Sequence, residues 1–199
     1  MARRSDHTRA ELEALIIAEG HRQLAEKGFA RFSAREVAKA IGYSIGTIYN
    51  VMESHDLLIL AINGHTFALW AEFMRTRLAQ AGDDRVAALV NGYFDFAASH
   101  TNVWMAIYDH RLPAGVPMPD WYGAKRIGLT SIIEAEVARV LPPPLRPQAP
   151  ALTRSLVATV HGHAFFALNG TFEILGESAP RAAALARVRE TLAAAQGGD

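Results

Sequence analysis

The chain has no cysteine among its 199 residues. That excludes a disulfide framework, a thiolate metal site and a cysteine nucleophile. It has no excess of charge either: twenty lysines and arginines balance twenty aspartates and glutamates. Residues 1–56 repeat this balance. Arg3, Arg4, Arg9, Arg22, Lys27, Arg31, Arg35 and Lys39 face Asp6, Glu11, Glu13, Glu19, Glu26, Glu36, Glu53 and Asp56. A blanket of positive charge is therefore not how this chain would hold a polyanion, and any basic surface must come from segregating the two signs. Uninterrupted apolar runs are short. Leu57 to Ile62 is the longest strong one, and Asn63 and Gly64 end it well before the ~18 residues of a membrane helix. The opening Met-Ala-Arg-Arg-Ser-Asp-His is polar, unlike a secretory signal, so a cytoplasmic location is expected. Strand-like alternation is missing at any useful length. Proline is scarce outside two loops, Pro113 to Pro119 and Pro142 to Pro150, the second too proline-dense for helix or central strand.

What remains reads as helix throughout. Hydrophobic residues make up 50% of the chain, enough for a real core. The spacing predicts an all-α protein of about nine helices, at 8–27, 33–41, 44–52, 54–81, 83–99, 101–110, 119–141, 151–169 and 180–195. Leu12, Leu15, Ile16 and Leu24 give the first a buried stripe, and Gly28 suits its C-cap. Ser33-Ala-Arg-Glu36 has the form of a capping box, in which serine takes a free N–H and glutamate reaches back. Ser54 is placed to cap the fourth, long helix. Two domains are expected, 1–56 and 57–199, divided near the start of that helix without a linker. Arg3, Arg4 and Arg9 could form a basic arm.

The segment Val37-Ala-Lys-Ala-Ile-Gly-Tyr-Ser-Ile-Gly-Thr-Ile-Tyr49 carries the clearest pattern. Ala38 is small where two short helices would touch. Gly42, four residues on, supplies a positive φ for the turn. Ile48, six further, plugs the gap between the helices, while Val37 and Ile41 face the first helix. This is the pattern of a helix-turn-helix. With Ala25-Glu-Lys-Gly-Phe29 before it, Ser33-Ala-Arg-Glu-Val-Ala38 within it, and Ser54 and Asp56-Leu-Leu58 after it, the stretch resembles the TetR family of transcriptional regulators over residues 10–62. Beyond residue 62 only the helical architecture matches, apart from a slight likeness at His161-Gly162 to one group of sensor domains.

The resemblance implies a homodimer bound to a palindromic double-stranded DNA operator, with one recognition helix per major groove and successive grooves roughly 34 Å apart. It implies a repressor released by a small-molecule effector, with no enzymatic activity and no cofactor. By position, Ser33 and Arg35 would meet a phosphate or a base edge, and Ser44 would cap a recognition helix whose N-terminus favours phosphate. Gly46 and Thr47 would let the backbone approach DNA. Tyr49 and His55 would contact phosphate, and Asn50 would pair with adenine. The chain departs from the family pattern at Ile45, usually polar or basic and here able to pack on a thymine methyl. It departs again at Val51 and Met52, where a polar–aromatic or His–Phe pair is usual.

Two other motifs compete. Gly42-Tyr43-Ser44-Ile45-Gly46 matches G-x-S-x-G, the nucleophile elbow of serine hydrolases, with His161 or His163 as base and Asp109 or Asp120 as orienting acid. The elbow needs a strand before its serine, and a capped helix stands there instead. His161 and His163 point about 200° apart on a helix, which speaks against a shared metal. A helical interaction module that has lost DNA binding is the remaining alternative.

The region after residue 62 is rich in large apolar side chains. Trp70, Trp104, Tyr108, His161 and Phe165 are the candidates to line a cavity for an apolar or aromatic ligand. Leu152, Leu156 and Val160 on one helix, and Leu185, Val188 and Leu192 on another, recur at three and four and are the candidate dimer interface.

Overall fold

The structure is a computed structural model and describes residues 7–196. The Arg3 and Arg4 members of the basic arm lie outside the described residues. Among the described residues there are ten α-helices and no strand: α1 (Arg9–Lys27), α2 (Ala34–Ala40), α3 (Ile45–Met52), α4 (His55–Gln80), α5 (Arg85–Ser99), α6 (Thr101–Asp109), α7 (Asp120–Val140), α8 (Ala149–Leu168), α9 (Thr171–Leu175) and α10 (Pro180–Gln196). The all-α expectation holds. The unexpected tenth helix is α9, only five residues long and bracketed by Gly170 and Gly176, both at positive φ. The proline-rich stretch also differs from expectation. Pro143–Gln148 forms a 3-10 helix, and Pro150 sits in the first turn of α8, where a missing N–H leaves no helical bond unmade.

The chain packs as two compact units, one made of the chain up to Ala68 with His100–Arg126, the other of Leu69–Ser99 with the chain from Ile127. This division differs from a cut at residue 56. The first unit keeps the His55–Ala68 part of α4 and recruits all of α6, because Val103 and Ala106 complete the core formed by Leu12, Ile16, Leu24, Val37, Ile48 and Ile62. Polar contacts fasten α6 there. Asn102 donates to the Ala25 carbonyl at 2.7 Å, Asn63 donates to the Ala106 carbonyl at 3.2 Å, and the His110 ring meets Asp56 at 2.9 Å.

Local rules explain the first unit's helices. Thr8 and Glu11 make a reciprocal capping box on α1, which holds the Glu11 carboxyl below its ordinary pKa. On α2 the expected box is half made. Ser33 accepts from the Glu36 N–H, but the Glu36 carboxylate pairs with Lys27 on α1 instead of reaching back. Ser54 accepts from the Leu57 N–H at 3.1 Å and so starts α4.

In the second unit, α8 and α10 pack on each other and on α5. Trp70 stacks on Phe96 with centroids 4.8 Å apart, and Tyr93 meets the indole edge-on. Arg85 grips Glu136 with two bonds of 2.7 Å, and Arg77 and Arg181 converge on Asp95. Leu156, Val160, Val188 and Leu192, four of the six residues expected at a subunit interface, are taken up by this internal packing; only Leu152 and Leu185 remain half-buried. Helix α4 is long and apolar enough to match a membrane span in length and composition, but 67% of its apolar window is buried inside the protein, as befits a core helix.

His21, on α1, has its Nε2 buried without a partner, and its ring meets His65 edge-on at 4.9 Å. Burial first, then the charges of His65 and His100, push its pKa from 6.5 down to about 4. The folded chain therefore resists a proton that the unfolded chain accepts. Its contribution is intact above about pH 6.5 and is lost as pH falls toward about 4. The urea midpoint should drop across that window, and His21→Phe should shrink the drop. His65, shifted the same way by burial, would keep a residue of it. An unchanged pH slope in the variant would contradict this assignment.

Candidate nucleic-acid interface

The turn between α2 and α3 fixes which side chains face outward. Gly42 takes φ +78°, a conformation strained for any residue with a Cβ, and the Tyr43 N–H returns to the Ala38 carbonyl at 2.9 Å. This folds α3 tightly across α2. Val37, Ala38 and Ile48 are buried at the crossing, with Ile48 fully inaccessible, so the plug expected of Ile48 is where α2 and α3 meet. Ser44 caps α3: its hydroxyl accepts the Thr47 N–H at 3.1 Å and lies 2.9 Å from the Thr47 hydroxyl.

With Ile48 and Met52 turned inward, the opposite face of α3 presents Gly46, Tyr49 and Asn50. Tyr49 is 38% exposed, and neither its hydroxyl nor the Asn50 amide has a partner among the described residues. A Cβ on Gly46 would meet only the Ser44 hydroxyl, at 3.6 Å, so the surface there is open. Thr47 is half-buried and its hydroxyl is engaged by Ser44. Ile45 is also half-buried and packs on the head core, which accounts for an apolar residue at a position usually polar. Met52 likewise serves the core. Arg35 is exposed at the start of α2 with no ion pair among the described residues, Ser33 is half-exposed with its hydroxyl spent on the cap, and His55 is exposed, its ring tilted against Phe32.

The neutral head hides an uneven distribution of charge. Glu19 and Glu26 are occupied by Arg22, Glu36 by Lys27, Glu11 by its cap and Asp56 by His110. Arg35 and Lys39 on α2 are left with no ion pair among the described residues. Two contacts escaped sequence reasoning. His7 bonds the Tyr43 hydroxyl at 3.0 Å, and Arg9 donates to the Val51 carbonyl at 3.0 Å, so Arg9 braces the last turn of α3. No local signal marks either, since their partners lie 36 and 42 residues away.

The comparisons with known proteins bear on the same residues. The profile of the bacterial regulatory proteins of the tetR family matches residues 16–62, and that of the tetracyclin repressor-like C-terminal domain matches residues 86–192, more than half of the chain. The chain belongs to the TetR family. It is a TetR-family transcriptional regulator, and members of this family are DNA-binding proteins without enzymatic activity. Two curated relatives, the HTH-type transcriptional regulators Rv1816 of Mycobacterium tuberculosis and Mb1846 of Mycobacterium bovis, are each 27% identical over 116 residues, 56% of this chain and 50% of theirs. The chain thus spans about half the length of the curated relatives it matches. Among solved structures, SCO4313, described as a regulatory protein, aligns at TM-score 0.67 with 20% identity, covering 96% of this chain and 97% of its own. A Rhodococcus sp. RHA1 protein of unknown function aligns at 0.69 with 19% identity and 96% coverage of both chains. The fatty acid degradation regulator FadR of Bacillus halodurans aligns at 0.53 with 15% identity, covering 94% and 95%. These three likenesses concern the fold.

The hydrolase motif falls with the geometry. Ser44 follows a helix-to-helix turn, with no strand before it among the described residues, and its hydroxyl serves a helix cap. His161 bonds the Tyr93 hydroxyl and His163 the Thr159 carbonyl, each on its own partner.

The TetR head also carries local strain just beyond α3. Glu53 has φ 65° and ψ −42°, the one non-glycine at positive φ among the described residues, and the Ser54 N–H bonds back to the Met52 carbonyl at 2.8 Å in a γ-turn. Such a conformation costs about 1–3 kcal/mol in a residue with a side chain. Glu53→Gly should raise unfolding stability by about 1 kcal/mol, read as a higher urea midpoint, after glycine's greater unfolded-state entropy is offset. A lower midpoint would argue against strain at this turn.

Proposed function

We propose that this regulator acts in the cytoplasm as a homodimeric repressor, with two α3 helices entering successive major grooves of a palindromic operator, and that a small apolar or aromatic effector releases it. The observation that carries the DNA-reading part is the outward face of α3, where Tyr49 and Asn50 are exposed without intramolecular partners while Ile48 is sealed in the core. In this reading Arg35, Tyr49 and His55 hold phosphates, with Ser33 and the Ser44-capped N-terminus of α3 beside them. Gly46 and Thr47 allow close approach, Asn50 reads adenine, and the exposed edge of Ile45 meets a thymine methyl.

For the effector, Trp104 and Tyr108 belong to the first unit, and Trp70, His161 and Phe165 to the second. The second unit holds an apolar cavity of about 40 Å³ between Met74, Leu89, Tyr93, Val137, Leu156 and Val188. That is far below the roughly 300–1,000 Å³ of ligand pockets, so an effector entering there would have to select a more open state. Trp70, His161 and Phe165 do not line this cavity, and the buried Trp70 Nε1 has no partner among the described residues. For the dimer, the outer side of α8 offers Ala151, Ser155, Ala158 and Gly162 to a second copy, with Leu152 and Leu185 at its margin.

Selection from random duplex DNA should enrich a palindrome, and binding to it should weaken steeply with salt. Tyr49→Phe should weaken it about tenfold, by loss of one hydrogen bond to a charged group worth about 1.5 kcal/mol. No enrichment at low salt would overturn the operator reading and favour an interaction module.

A Cβ at Gly162 would meet nothing within 4 Å, so Gly162→Arg should leave the subunit folded. Sedimentation should then show monomers with unchanged helicity and lost operator binding. A dimer that persists would place the interface elsewhere.

A further inference from the structure

The first unit holds a second and much larger hollow, a groove of about 430 Å³. One face of α4 forms its floor through Leu57, Ala61, Gly64 and Ala68. Along one wall runs α1, with Arg9, Glu13 and Ile17 at successive turns. The other wall is the first turns of α7, where Trp121 and Lys125 lie over Gly64, their side chains 3.7 and 3.6 Å from where its Cβ would stand. The end wall is the last turn of the recognition helix and the strained corner after it, Val51, Met52 and Glu53.

The size is within the roughly 300–1,000 Å³ typical of small-molecule sites. The chemistry is divided along its length. Ile17, Leu57, Ala61 and Ala68 make the middle apolar. At the α7 end Lys125 has no acidic partner among the described residues, and its charge lowers the pKa of His65 further after burial has done so. Beside it Trp121 keeps 43% of its surface exposed, a large apolar face left uncovered. The two carboxylates of the lining, Glu13 and Glu53, sit at the opposite, recognition-helix end. An uncompensated ammonium next to an open indole, at the mouth of an apolar trough, matches an anion carried on a flat or apolar body.

We propose that this groove is an effector site in its own right, for a small aromatic or apolar anion whose charged group pairs with Lys125 and whose body lies on Trp121 and the small residues of α4. Its occupant abuts Val51, Met52 and Glu53. It therefore acts on the recognition helix directly, without passing through the body of the protein. Arg9, which already holds the Val51 carbonyl from the groove side, is the residue through which an occupant would tighten or loosen that last turn.

A pair of probes of equal shape tests this. 8-Anilino-1-naphthalenesulfonate carries the anion, and N-phenyl-1-naphthylamine is its uncharged counterpart. Both brighten in apolar surroundings. The intact protein should bind the sulfonate saturably and more tightly than the amine. Lys125→Glu, a change at an exposed position, should weaken the sulfonate about tenfold or more while changing the amine less than about twofold. Ala68→Trp, which fills the floor from an exposed position, should weaken both. Helicity and the thermal midpoint of each variant report that it is folded, so that probe binding to loosened protein is recognised. No saturable binding of the sulfonate, or binding untouched by Lys125→Glu and Ala68→Trp, overturns the proposal. So does a Lys125→Glu variant that keeps its affinity for the sulfonate but loses affinity for duplex DNA, because Lys125 would then serve a phosphate.

Discussion

The crossing of α2 and α3 is the constraint on which the reading head depends. Ala38 lets the two helices touch, Gly42 turns the chain in a conformation that a Cβ would strain, and Ile48 fills what is left between them. Once Ile48 points inward, the 100° step of the α-helix leaves no choice for its neighbours: Tyr49 and Asn50 face outward. The outward face of α3 is thus a by-product of core packing. The Ile48 side chain, fully buried, therefore fixes the orientation of Tyr49 and Asn50 as well as the crossing itself.

That core is shared more widely than a self-contained head would require. Val103 and Ala106 of α6 belong to it, and Asn102, Asn63 and His110 tie α6 to α1 and α4 with directed bonds. Helix α4 then runs unbroken from the first unit into the second. Val103 and Ala106 of α6 share that core with Ile48 and Met52 of α3, so the two helices are packed into one continuous set of side chains.

Neutrality of the whole chain concealed a useful segregation of charge. Most described acids of the head bond locally to Arg22, Lys27, His110 or a helix cap, and Arg35 and Lys39 on α2 have no ion pair among the described residues. Glu13 and Glu53, the remaining carboxylates among the described residues of the head, line the groove behind α3, at the end away from Lys125. Net charge summed over a segment cannot report this, because pairing depends on which side chains meet across helices.

The sequence by itself determined the all-α class and the helix-turn-helix of α2 and α3. The punctuation of the helices by Thr8, Gly28, Ser33, Gly42, Ser44 and Ser54 is local chemistry, acting over three or four residues, and so it can be read in one dimension. The offsets of Ala38, Gly42 and Ile48 are likewise a short-range pattern. Tertiary structure alone decided which apolar faces meet. Leu156, Val160, Val188 and Leu192 have the same spacing whether they pack inside a subunit or against a partner, and only the packing of α5 against α8 and α10 committed them inward. The Glu36 carboxylate turned from its own cap to Lys27, α6 joined the head, and a groove opened between α1, α4 and α7, each by contacts between distant segments that no local periodicity encodes.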